Sequence, residues 1–296
     1  MTYEVEVGID ELDVAWTMAI HPHGDQHISE ALRREGVWEP FESLVVARLL
    51  GTTPESVGPN SVGPPLFVDC GANIGWYSLL AASSGAYVVA AEPMPANAAL
   101  LRHNVAAAGF DSIEVHECAL GAGPGSAELH LSATNQGDHR LHTDDPWDVA
   151  KRRTTVRVAV RPLSDCLHGR RPNLVKLDTQ GSEVAILMGA LDAWQPRVGA
   201  ADVSIVSEFW PYGLDRCGSS ASAFIDLVLP LVGSTHRCFE LIEPSRMLVE
   251  RSADVVRYLP AAPGLSLSVR GFTNLALVPN ALAAALDDLR TDRPTT

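Results

Sequence analysis

Residues 66–82 read LFVDCGANIGWYSLLAA: an apolar run stops at Asp69, passes Gly71 and Gly75, and resumes with helical character. A strand that ends in a glycine-rich turn and feeds a helix presents backbone N–H groups to a nucleotide-like ligand. Gly71 permits a tight turn with positive φ, and Gly75 lets the helix approach the strand closely. The dinucleotide fingerprint G-x-G-x-x-G has a middle glycine against which the pyrophosphate lies; GANIG has none. Asp69 also sets a carboxylate beside the site, where it would repel phosphates. The loop therefore suits a cationic ligand without phosphates, such as S-adenosylmethionine with its sulfonium, ammonium group and ribose diol. Glu92 ends the next apolar run, AYVVAAEP, where an acid accepts hydrogen bonds from both ribose hydroxyls.

Outward from this stretch, strands and helices alternate. The pattern predicts strand 66–70, helix 74–84, strand 86–91, helix 95–108 and strand 113–118, then an extended piece near 126–131 and an irregular polar stretch, 132–152. Strands at 155–161 and 173–178, helix 181–190, strand 202–208 and helix 219–230 follow, then strands near 236–242 and 272–278 and a helix at 280–290. Such alternation predicts an α/β fold: a Rossmann-like sheet, mostly parallel with a late antiparallel pair, and helices on both faces. Upstream, DQHISEALRREGVWEPFESLVVARLL has helical spacing broken at Gly36 and Pro40, which predicts two helices. Residues 1–60 are read as an N-terminal helical extension or cap and 61–296 as the main domain, with GTTPESVGPNSVGPP as connector and 132–152 as a lid.

The chain has 296 residues, 46% hydrophobic and 20% charged, enough to bury a sizeable core. Its formal net charge of -14 argues against a nucleic-acid backbone or an anionic membrane as main partner. The five cysteines are scattered and never form C-x-x-C, the usage of a reducing compartment. Acids stand at the N-terminus where a signal peptide carries lysines, and no run reaches the length of a membrane span. These features predict a soluble, cytoplasmic protein acting on a small molecule; the oligomeric state is not readable.

Several segments in order resemble the FkbM family of class I adenosylmethionine-dependent methyltransferases: DQHISEALRREGVWEP, FVDCGANIGWYSLLAA, VVAAEPMPANAALLRHN, ECALGAGPGSAELHL, and LVKLDTQGSEVAILMGA followed by SIVSEFWP. The resemblance spans about Asp25 to Glu208 and fades beyond Trp210. KLDTQG stands where the family often has KIDVEG or KIDVQG. It implies methyl transfer, most often to a hydroxyl of a natural product or sugar. It also implies that Asp69, Gly71, Asn73 and Gly75 hold the methionine end and that Glu92 holds the ribose. Asn97 would brace the loop, and Ala119, flanked by Glu117 and Cys118, would pack the adenine.

A hydroxyl acceptor must lose a proton, so a base is needed. Asp178 and Glu208 end the strands NLVKLD and VSIVSE, at the carboxyl edge of the sheet. Asp178 is a candidate base, an orienting acceptor, or with Glu208 a ligand of Mg²⁺; metal-independent catalysis is preferred, because two carboxylates make an incomplete site. His139, in the polar stretch, is a second candidate base. Glu183, in the first turn of its helix, reads as helix N-terminal stabilisation, and Lys176 as reaching a carboxylate at the sheet face. HPHGDQH offers histidines without companion ligands, so no zinc site is expected. Three rivals remain: N-methylation, a nicotinamide-dependent oxidoreductase, and a non-catalytic adenosylmethionine-binding module.

Overall fold

The computed structural model describes residues 3–51, 63–142, 154–194 and 203–291. An antiparallel hairpin, β1 (Tyr3–Ile9) and β2 (Val14–Ile20), precedes helices α1 (Ile28–Glu35) and α2 (Pro40–Gly51). Then come β3 (Leu66–Cys70), α3 (Trp76–Ser83), β4 (Tyr87–Ala91), α4 (Pro95–Ala108) and β5 (Ile113–His116). Strands β6 (Ala119–Gly121), β7 (Gly125–His130) and β8 (Thr155–Pro162) form a small sheet of their own. After α5 (Leu163–Leu167), β9 (Leu174–Leu177), α6 (Glu183–Trp194) and β10 (Ser204–Phe209), the chain runs through α7 (Pro211–Arg216), α8 (Ala221–Val228) and β11 (His236–Ile242). It ends with β12 (Met247–Arg251), α9 (Ala253–Tyr258) and β13 (Thr273–Pro279).

The main sheet has eight strands in the order β12-β11-β13-β10-β9-β3-β4-β5. From β5 to β10 neighbours are parallel, and β13, β11 and β12 pair antiparallel. The fold is thus the expected Rossmann-like sheet with a late antiparallel pair. The chain leaves β3 toward β4 on one side and later returns at β9 on the other. That topological switch point opens a crevice at the carboxyl ends of β3 and β9, where sheets of this kind bind ligands.

The two breaks read from sequence separate α1 from α2. Gly36 ends α1 with φ +69, its N–H donating to the Leu32 carbonyl. The period-2 string YEVEVGI…VAWTMAI makes the hairpin ahead of them, an element the helical reading did not include. Strand β12 was also missed: IEPSR turns the chain and MLVER pairs back on β11. The helix expected over 280–290 is instead a 3-10 stretch, Ala283–Leu289.

Both faces of the sheet are buried. Phe67, Val88, Ala90, Leu174 and Val206 face α2, α3 and the hairpin, whereas Leu66, Val68, Val89, Val175 and Ile205 face the opposite core with Phe224 and Ile186. Each such aliphatic or aromatic side chain contributes about 1.5–3 kcal/mol. The first face is interrupted by a polar stripe. Asp69, Lys176, Glu208 and Asn274 share its parity, and register sets Asp69 beside Lys176 and Glu208 beside Asn274. Among the described residues, no helix is long and apolar enough to cross a membrane.

Candidate functional site

The loop after β3 adopts the conformation its glycines permit. Gly71 has φ +86, and a Cβ there would lie 2.1 Å from the Asp178 carbonyl oxygen. The two loops at the switch point therefore touch through backbone, and the Asp178 N–H donates to the Cys70 carbonyl at 3.1 Å. Gly75 (φ +100) caps α3, with Leu101 where a Cβ would be. Asp69 is buried and accepts from Ser78 Oγ at 2.6 Å; burial raises its pKa to about 6.

Glu92 ends β4 with one backbone donor on each oxygen: Asn73 N–H on Oε2 at 2.9 Å and Met94 N–H on Oε1 at 2.8 Å. Burial raises its pKa to about 7. Asn73, at φ +49, donates through Nδ2 to the Gln136 carbonyl, while its Oδ1 is buried with no hydrogen-bond partner among the described residues. Asn97 Nδ2 donates to the same Gln136 carbonyl, and Asn97 Oδ1 lies 2.8 Å from His21 Nε2. Glu92, Asn73, Cys118, Ala119, Leu120 and His139 line one pocket together. Glu117 is not in that lining and pairs with Arg102 at 2.7 Å on the surface.

The first part of the polar stretch, 132–142, folds over this pocket; 143–152 lie outside the described residues. Asp25 and Gln26 tie it down, the Gln26 N–H donating to the Thr134 carbonyl at 2.9 Å and the Gln136 N–H to Asp25 Oδ1 at 3.4 Å. His139 is engaged at both ring nitrogens: Nδ1 accepts from Ser132 N–H, and Nε2 faces Gln136 Oε1, each at 3.1 Å. It lines the pocket that holds both Glu92 and Asp178.

A second cavity, about 320 Å³, adjoins the first and shares Gly71, Asn73, Gly137, Asp178 and Gln180 with it. Its floor is the polar stripe of the sheet. Helix α2 lowers Glu42 onto that floor, and Trp38, Trp76 and Tyr77 form aromatic walls. Lys176 Nζ lies 2.8 Å from Glu42 Oε1 and 3.3 Å from Asp178 Oδ2, over the Tyr77 ring. Burial alone would lower the Lys176 pKa, but the Glu42, Asp178 and Glu39 carboxylates raise it well above normal. A buried pair of this kind costs about 3–5 kcal/mol when one partner is removed.

Gln180 Nε2 bridges Asp178 Oδ1 (3.2 Å) and Glu208 Oε2 (3.3 Å). Burial, with the Asp178 and Glu183 carboxylates, pushes the Glu208 pKa well up. Asp178 and Glu208 are therefore brought together. Glu183 Oε1 accepts from Thr179 N–H, Thr179 Oγ1 and Gly181 N–H, bracing the loop that carries Asp178 and Gln180.

The chamber also holds residues that the sequence reading missed. Tyr77 OH donates to Glu39 Oε2 at 2.7 Å, and Asn274 Nδ2 donates to Glu42 Oε2. Glu39 sits at φ +42, a conformation costing a non-glycine residue about 1–3 kcal/mol. A lysine and an asparagine inside otherwise apolar strands, VKL and TNLAL, were the available signal. Glu39 gave none beyond standing before Pro40. Among the described residues, no group of three or more His, Cys, Asp or Glu is arranged to hold a metal ion.

Comparison with known proteins completes the picture. Residues 69–230 match the Methyltransferase FkbM domain. "Methyltransferase 1" of Beauveria bassiana (strain ARSEF 2860) is 28% identical over 144 residues, 42% of this chain and 58% of that relative, so the match spans under two thirds of its length. Three solved structures are loosely alike. The precorrin-6y C5,15-methyltransferase of Geobacter metallireducens GS-15 has a TM-score of 0.38 at 12% identity, covering 92% of this chain and 96% of that one. For a SAM-dependent methyltransferase from Agrobacterium tumefaciens the values are 0.37, 13%, 71% and 54%. For a human methyltransferase 10 domain containing protein they are 0.39, 13%, 81% and 81%. The family assignment rests on the sequence match, which takes in more than half of the chain: this protein belongs to the FkbM family of S-adenosylmethionine-dependent methyltransferases.

Proposed function

We propose that this protein transfers the methyl group of S-adenosylmethionine to a hydroxyl of a small molecule, a natural product or a sugar. One observation carries the reading: the pocket at Glu92 and the chamber of carboxylates share Gly71, Asn73, Asp178 and Gln180. A ligand held at the first thus reaches into the second. Bound there, adenosylmethionine supplies an electrophilic methyl on a sulfonium.

The residues present fit that group. Glu92 is an acceptor suited to a ribose hydroxyl, and the unpartnered Asn73 Oδ1 fits a donor such as the ammonium. Asp69, Gly71 and Gly75 shape the methionine end, Asn97 braces Asn73 through the Gln136 carbonyl, and Cys118 and Ala119 flank the adenine. Glu117, paired with Arg102, stays outside. The loop GANIG lacks the middle glycine against which a pyrophosphate lies, which disfavours a nicotinamide cofactor.

In the chamber, Asp178, Gln180 and Glu208 orient the acceptor, and the aromatic walls exclude water. Residues 1–60 act as the cap of a domain spanning 61–296, and 132–142 as the described part of the lid. Lys176 fills the cationic position beside Asp178, so catalysis is metal-independent. His139, with both nitrogens committed, holds the loop and is not the base.

The test is methyl transfer from isotope-labelled adenosylmethionine to a panel of hydroxylated aglycones and sugars, read by mass spectrometry with and without chelator. A labelled ether product, formed equally with chelator, is expected. Product only on amines, or turnover that chelator stops and Mg²⁺ restores, would overturn the corresponding part of the reading.

A further inference from the structure

Five carboxylates line or underlie the acceptor chamber; Asp69, which takes Ser78 Oγ on Oδ2, belongs to the methionine end in the reading above, and hydrogen bonds separate the other four. Glu42 is buried with Lys176 Nζ on Oε1 and Asn274 Nδ2 on Oε2. Asp178 has Lys176 Nζ on Oδ2 and Gln180 Nε2 on Oδ1. In both, each oxygen is already occupied by a side-chain donor. Glu208 takes Gln180 Nε2 on Oε2, and burial, then the Asp178 and Glu183 carboxylates, push its pKa well up. Glu39 differs. Only Tyr77 OH donates to it among the described residues, on Oε2, and its other oxygen has no protein donor there. It lines the cavity with the loop residues Gly71 and Asn73, and it is held there at positive φ, a strain that marks functional positions.

We propose that Glu39 is the catalytic residue that receives the acceptor hydroxyl's proton, a role resting on the methyltransferase reading above. The acceptor oxygen bonds the methyl carbon, the carbon–sulfur electron pair stays on sulfur, and the hydroxyl proton passes to the Glu39 carboxylate. A sulfonium and a carboxylate become a neutral thioether and a neutral acid, so charge balances. Glu39 comes from the segment before α2, outside the stretch that matches the family domain.

The surroundings of Glu39 give the step a control. Burial and then the Glu42 carboxylate raise its pKa to about 8; Asp178 adds to this, and Lys176 and the Tyr77 hydroxyl oppose it. Asp69 and Glu208 face the same cavity from the floor, and His27 from the segment before α1. At pH 7.5 such a group is about three-quarters protonated. A sulfonium at the Gly71–Asn73 loop favours the carboxylate and releases that proton; the neutral thioether product does not. The donor thus readies its own base, and turnover resets it.

Calorimetry in two buffers of different ionisation enthalpy counts the protons. At pH 7.5, adenosylmethionine should release roughly half a proton more than adenosylhomocysteine. Glu92, which serves the ribose in both, cancels in the difference. Glu39→Gln should abolish the difference, while Glu39→Asp and Glu208→Gln should keep it. An unchanged difference in Glu39→Gln, or its loss in Glu208→Gln, overturns the proposal alone. Failure of wild type to bind either ligand overturns the cofactor reading, and this proposal with it. Carbon NMR of carboxyl-labelled glutamate in wild type gives a check without substitution. One carboxyl should titrate near pH 8 with the thioether bound and below 7 with the sulfonium; a carboxyl that titrates alike in both overturns the proposal.

Discussion

Gly71 carries two constraints at one atom. Its φ of +86 disfavours any L side chain, and a Cβ would be driven to within 2.1 Å of the Asp178 carbonyl oxygen, a backbone atom that cannot rotate away. At Gly75 the φ is also positive, but the obstacle is the Leu101 Cδ1 methyl, which can move. Gly71→Ala should therefore spread the loops of β3 and β9, destabilise the fold by about 2–4 kcal/mol and weaken adenosylmethionine binding at least about tenfold. Urea unfolding and calorimetry check this; a variant with wild-type affinity would show that the contact of the two loops does not shape the site. Such residues were legible because their signal is local: Asp69, Gly71 and Glu92 announce themselves by following a strand. Glu39, Glu42 and Tyr77 were not. What makes them a chamber is their approach to Lys176 and Asn274, residues about a hundred positions or more away in the chain.

At the scale of elements, α2 shows why strand alternation alone fell short. Its first free N–H groups, on Phe41 and Glu42, are met from afar by Glu243 Oε1 and Oε2, each at 2.8 Å. Glu243 stands in the tight turn between β11 and β12, the hairpin that the sequence reading missed. Its signal, two alternating strands around EPSR, was present but short, and the charges of MLVER masked the pattern. The consequence reaches the site, because the start of α2 aims Glu39 and Glu42 at the floor. Glu243→Ala should cost about 1–2 kcal/mol, the scale of a lost helix cap. It should lower methyl transfer more than it lowers cofactor affinity, since no cofactor-loop residue touches Glu243. Equal loss of both, measured by turnover and calorimetry, would mean that α2 positions the cofactor instead.

The whole molecule concentrates buried and half-buried acids in and beside one crevice, and that fixes how its stability depends on pH. Burial raises Asp69 to about 6 and Glu92 to about 7, and with the Glu42 carboxylate it raises Glu39 to about 8; Glu183, Glu208 and Glu243 are raised too. A raised acid is protonated in the folded state at pH values where the unfolded chain has ionised. Between the two pKa values the native state holds more protons, so stability falls as pH rises through that window. Glu11 and Glu114 are lowered and His116 is lowered, but they are partly exposed and act below about pH 6.5. The ligand-free protein should therefore lose stability between pH 5 and 8, by on the order of several kcal/mol. A cationic ligand adds to the one counter-charge of the described lining that pairs with the acids, that of Lys176. Stabilisation by adenosylmethionine should accordingly grow over the same interval, and that by adenosylhomocysteine should grow less. Thermal melts across pH, with and without each ligand, decide the matter. A ligand-free Tm that is flat or rises toward pH 8 would show that these carboxyls ionise freely, and the crevice would then not be the reserve of held protons described here.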